Sequence, residues 1–228
     1  MSLRHAVLAS TLLLLCGSIA GHAATIDSGL YTTYSTDTAK TTLDWTVCGS
    51  IGSGNGCYAS GSLTPFGRIG SIIEGTKSYN LTKGTVTRIL YVVDQEAGSS
   101  LDGVTVYAYK RVDTITSSFD TTTFTLVKTV SLPLVGGSSA AVFMGANSGF
   151  LVIGTSMSAV PVEVSKKNYS VSTLTIISQI PTSVTADNYG YITVTSADAF
   201  FVVGPDGTLQ EDGGGAPFTI DTILGIQP

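Results

Sequence analysis

The sequence predicts an all-β fold, on three observations. Charged residues make up only 12% of the 228 residues, while Thr, Ser, Gly, Val and Ile dominate, a composition that suits packed strands and not disorder. Apolar residues spaced i, i+3, i+4 and i+7 are interrupted by Gly, Thr or Pro before ten residues are reached, so no helix is expected. Short β-branched and aromatic runs, bounded by clusters of Gly, Asn, Asp and Ser, recur instead along most of the chain.

Residues 1–23 read as a signal peptide: Arg4 supplies the positive start, 6–16 is mostly apolar, and Gly21 and Ala23 suit the cleavage site. Residues 24–228 are expected to form one all-β domain, secreted or periplasmic with the cell surface as a further destination. The apolar run is too short to span a bilayer, so no transmembrane anchor is expected. Cleavage would remove both histidines, His5 and His22, together with Cys16 and Arg4. The mature chain would then set ten Lys and Arg (eleven less Arg4) against sixteen Asp and Glu. So acidic a chain lacks the footprint of a nucleic-acid binder. Cys48 and Cys57, flanking a Gly-rich segment, are expected to form a structural disulfide in an oxidising compartment.

Taken in order, strands are expected at 31–33, 42–48, 68–74, 88–94, 104–112, 124–132 and 140–144. The series continues at 150–155, 160–165, 171–177, 183–186, 191–196, 200–203 and 218–220. The connections 95–103 and 113–123 read as long hairpin loops. Pro205-Asp206-Gly207-Thr208 has the composition of a turn.

Two stretches match each other. Asn147-Ser148-Gly149-Phe150 and the strand after it read against Asn188-Tyr189-Gly190-Tyr191 and its strand, with the glycines 41 residues apart. Each has a short strand before it and another after, and 68–132 gives a looser third copy with longer connections. At fold level this resembles the repeats of β-propellers, whose blades have four strands in about forty residues. The resemblance covers 67–211 and carries neither a Trp-Asp blade signature nor the kelch Gly-Gly pattern. It implies a small propeller of four blades, five being the other count, with 31–33, 42–48 and 218–220 closing the ring as a mixed blade. The alternative architecture is a β-sandwich or Greek key.

Loss of imidazole removes Ser-His-Asp and Cys-His catalysis and His-based metal sites. No Gly-x-Ser-x-Gly or Ser-x-x-Lys motif occurs, and the glycines of 49–56 precede no Gly-Lys-Ser/Thr, so no phosphate loop forms there. Neither a catalytic residue, a metal nor a cofactor is expected. Carboxylate chemistry needs only two or three acids, for which Glu74, Asp94, Glu96 and Glu163 are the candidates. Asp94 and Glu96 open a polar connection, and alternation with Val162 and Val164 turns Glu163 toward solvent. Asp206, Glu211 and Asp212 would supply oxygens to calcium, but their spacing does not match the usual loop, and a hairpin followed by glycines is expected. Trp45, Tyr107 and Tyr109 are the candidate sugar platform. Trp45 shares a strand face with Leu43 and Val47, which favours burial.

The expected function is an exported, non-enzymatic binding, adhesion or surface-assembly module for an unknown protein or glycan. A polysaccharide hydrolase using carboxylates is one alternative. A subunit of an extracellular filament or layer, whose stretch 25–42 lends a strand to a neighbour, is another.

Overall fold

Four antiparallel sheets follow one another along the chain in a computed structural model that describes residues 30–51, 54–80, 82–96, 103–115, 119–175, 179–197 and 199–210. The stretch 1–23 expected to be a signal peptide, the strand expected at 218–220 and the acids Glu211 and Asp212 lie outside the described residues. The first sheet is β1 (Leu30–Thr36), β2 (Leu43–Ile51) and β3 (Gly54–Leu63). The second holds β4 (Ile69–Glu74), β5 (Ser78–Asn80), β6 (Thr85–Asp94), β7 (Gly103–Ile115) and β8 (Phe119–Val135), ordered β4-β6-β7-β8 with β5 also beside β6. The third is β9 (Val142–Ala146), β10 (Phe150–Thr155), β11 (Val162–Ser165) and β12 (Val171–Thr173). The fourth is β13 (Ser183–Ala186), β14 (Ile192–Thr195), β15 (Phe200–Val203) and β16 (Leu209–Gln210). The third and fourth sheets are plain four-stranded meanders, and no helix occurs among the described residues.

Period-2 alternation sends each strand's residues to two faces, and here both faces of the middle sheets are used. On β6, Leu90 and Val92 join Leu43, Phe66 and Ile69 in a core between the first and second sheets. Their neighbours Tyr91 and Val93 turn the other way, meeting Val104, Val106, Leu151, Ile153, Val162 and Val164 between the second and third. Val152 then points into the last core, with Val184, Ile192, Val194, Phe201 and Val203 of the fourth. Each such aliphatic side chain contributes about 1.5–3 kcal/mol when fully buried. The sheets thus stack in sequence order. β9 lies beside both β4 and β13, the first strands of the sheets on either side. The close approach to β13 depends on Gly145, where a Cβ would sit 2.9 Å from Ile192 Cγ2 and Val184 Cγ1.

Two expectations are corrected, those for 113–123 and for 171–177. The connection 113–123 is not a loop: β7 runs to Ile115 and β8 begins at Phe119, because Asp113 is neutralised where it stands, inside a strand. The Gly-rich stretch 49–56 is mostly strand, with β2 and β3 pairing through Gly49↔Gly56 and Ile51↔Gly54 beyond the disulfide. β12 ends at Thr173, short of the expected 177, since the next ladder partner is Pro161, which accepts the Leu174 N–H but has no N–H to give in return. The Cys48–Cys57 disulfide is present, its two cysteines facing each other across the hairpin. No helix among the described residues is long and apolar enough to cross a membrane.

Candidate functional site

The hairpin turns that matched in sequence meet at one end of the stack. In the third sheet the Asn147 N–H donates to Phe150 O, and in the fourth the Asp187 N–H donates to Tyr191 O, so the second turn is one residue longer. Asn147 therefore corresponds to Asp187, not to Asn188 as the sequence match has it. Their side chains do the same work. Asn147 Oδ1 accepts from the N–H groups of Gly149 (2.9 Å) and Phe150 (2.7 Å). Asp187 Oδ1 accepts from those of Tyr189 (2.8 Å) and Tyr191 (2.9 Å). Both residue types favour such turns because a short side-chain oxygen reaches the next backbone donors. Asn147 adds a bridge between sheets: its Nδ2 donates to Gly190 O (2.9 Å) and Gly204 O (3.4 Å).

Between these turns and the end of β4 lies a cleft of about 340 Å³, lined by Glu74, Thr76, Asn147, Lys166, Asp187 and Tyr189 among others. Tyr189 is 83% exposed at its rim, and Tyr191 nearby is also exposed. Lys166 follows β11 directly, and its ammonium donates to the Asn147 carbonyl and stands 5.4 Å from the centre of the Tyr91 ring. Burial lowers the Lys166 pKa. Burial, with Tyr169 alongside, pushes the Tyr91 phenol up to about 12. Both shifts mark a poorly hydrated wall.

Glu74 stands in the cleft and in a ring of charge behind it. Arg88 and Arg111 lie directly opposite each other on β6 and β7, an arrangement that repels unless acids intervene. Glu74 bridges them with Oε2 to Arg88 (3.1 Å) and Oε1 to Arg111 (2.9 Å). Asp113 bridges them again, Oδ2 to Arg88 (3.0 Å) and Oδ1 to Arg111 (2.9 Å). Tyr34, from β1, donates its hydroxyl to Glu74 Oε1 and accepts from Arg111 (3.1 Å). Burial and the Glu74 carboxylate raise the Tyr34 pKa far above that of a free phenol. Burial alone would lower the Arg111 pKa, but Asp113, Tyr34 and Glu74 outweigh it and the net shift is upward.

The other sequence candidates are placed apart from the cleft. Asp94 is buried and accepts the N–H groups of Gly67, Arg68 and Glu96, at 2.8, 2.8 and 3.1 Å, so it builds the turn after β6. Glu163 is a correction: it is 9% exposed, not solvent-facing, because the fourth sheet covers the side of β11 that alternation assigned to water. Its Oε2 has no hydrogen-bond partner among the described residues. Asp206 caps its own turn, accepting from Thr208 Oγ1 (2.7 Å) and N (3.1 Å). No three metal-ligating side chains gather among the described residues. Trp45 is buried against Phe124 at 5.1 Å, and Tyr107 and Tyr109 pack on Phe66 at 5.4 and 6.3 Å, so none of the three is an open platform.

Lys166, Asp187 and Tyr189 were not singled out by sequence. The signal that would have found them is the matched Asn-x-Gly turn itself, since turns at equivalent places in adjacent sheets come to the same end. No known family model matches the chain, and no curated protein shows significant similarity to it.

Proposed function

We propose that this chain is an exported, non-enzymatic binding module that takes a glycan in the cleft between the Asn147 and Asp187 turns. Tyr189 carries the reading. A large ring left 83% exposed beside a polar cleft is an unsatisfied apolar face, and the flat side of a pyranose fits it. Asp187 Oδ2, which has no partner among the described residues, and the neighbouring Asn188 and Ser148 would serve the sugar hydroxyls. The Cys48–Cys57 bridge and the apolar stretch at 6–16 support export. The stack also fits a small propeller, its four sheets as blades, because β4, β9 and β13 stand side by side and the cleft lies where they end.

A polysaccharide hydrolase is the second reading, since Glu74 and Asp187 line one cleft. Against it, both Glu74 oxygens are occupied by arginine and tyrosine donors, which leaves no room for a proton-transfer role. A filament or layer subunit has less support, as β1 is paired with β2 of its own chain. The test is a glycan array followed by calorimetry on the hits. Tyr189→Ala should weaken the best hit about tenfold or more without lowering the melting temperature. No glycan bound near millimolar concentration, or sugar released from a bound polysaccharide, would overturn the proposal.

A further inference from the structure

Resting on that reading, we infer that the sugar carries a carboxylate and that Lys166 is its counter-ion. Lys166 lines the cleft, yet it forms no ion pair among the described residues. One of its three ammonium donors goes to the Asn147 carbonyl, and the other two have no acceptor among the described residues. Glu74, an acid lining the same cleft, is closed to it, because its charge is shared between Arg88 and Arg111 in a balanced ring of two cations and two acids. A partly buried cation without an anion is a costly arrangement in a chain that has few charges to place. The Tyr91 ring and the Asn147 carbonyl hold it in position. An entering carboxylate would complete it with a charge-assisted hydrogen bond.

Asp187 is also in the cleft and does not pair with Lys166. Its Oδ1 is tied into the turn, which leaves Oδ2 to accept from hydroxyls. The set therefore reads as one cation for a carboxylate, one acid oxygen for hydroxyl groups, and the Tyr189 face for a ring. A uronic acid presents all three from a single pyranose. The volume, about 340 Å³, is near the lower end of the roughly 300–1,000 Å³ usual for ligand sites and suits one or two sugar rings. Because the chain is acidic overall, no long-range attraction gathers an acidic polymer. Discrimination has to come from the one ammonium in contact.

The experiment is calorimetry on the intact protein with oligogalacturonate, oligoglucuronate and oligomannuronate, each against its carboxyl-reduced neutral counterpart. At least one acid form should bind roughly ten- to a hundredfold more tightly than its counterpart. Lys166→Gln should remove that preference, bringing the acid form's affinity to that of its neutral counterpart, and Lys166→Arg should retain most of it. Equal affinity for acid and neutral forms, or a preference that survives Lys166→Gln, overturns the inference and leaves glycan binding standing. If Lys166→Gln fails to fold, an Arg variant without the preference overturns it equally. Binding of hexaglutamate with no uronate bound also overturns it, in favour of an acidic protein partner. A protein that binds no sugar at all, acid or neutral, sinks both proposals together.

Discussion

Glu163 is held beneath the Gly204–Thr208 turn, with Phe150 and Gly207 close around its carboxyl group. Burial, reinforced by the charge of Asp206, raises its pKa above the ordinary carboxylate value. The folded protein therefore holds this proton more tightly than the unfolded chain does. The associated stability is fully present below the unfolded pKa, about 4.3, and is lost as pH rises through the higher folded value. Glu163→Gln should flatten this dependence: between pH 4 and pH 7 the wild type should lose more stability than the variant, measured by thermal melts at each pH. Parallel curves would mean that the carboxyl group is not the cause. The exposure of this residue was illegible because alternation tells which residues share a face, not whether a further sheet covers it. The burial of Trp45 was legible, since its companions Leu43 and Val47 are apolar. What makes its place is Gly61, directly opposite on β3, where a Cβ would come within 2.6 Å of the indole.

At the scale of the strands, the ring formed by Arg88, Glu74, Arg111 and Asp113 joins β4, β6 and β7, and Tyr34 ties β1 to it. Arg111 is the most enclosed member, at 1% exposure. Arg111→Met should cost about 3–5 kcal/mol, because it leaves two acids facing a single guanidinium in a dry site. Urea denaturation would report the loss as a lower midpoint with an unchanged slope. A loss under 1 kcal/mol would show that water reaches the ring and screens it. The same ring explains why 113–123 was misread. An aspartate followed by Thr114, Thr116, Ser117 and Ser118 has the composition of a turn, and only the arginines Arg88 and Arg111 make it tolerable within a strand. β3 escaped for a different reason, as Gly54–Leu63 is too rich in Gly and Ser to show alternation and owes its shape to pairing with β2. Strands β6, β9, β10, β11, β14 and β15 were legible because aliphatic runs end at clear Gly, Asn and Asp punctuation.

Across the whole molecule, the grouping of strands into units was readable and the cleft was not. Sequence spacing put 140–165 and 183–203 into like units, but nothing in it brings Glu74, Asn147, Lys166 and Asp187 to one place. That requires the sheets to pack with the same ends aligned, which is a property of their cores. If the stack closes into a propeller, small-angle scattering should give a radius of gyration of about 17 Å for roughly 200 residues. A clearly larger value would mean an open pile of sheets and a cleft at its side. Sheet order has a consequence for biogenesis as well. Among the described residues every strand pairs within its own sheet, and each sheet packs on the one made just before it. A polypeptide threaded through a pore from its amino end can thus mature layer upon layer, with no exposed edge waiting for a mate still on the far side.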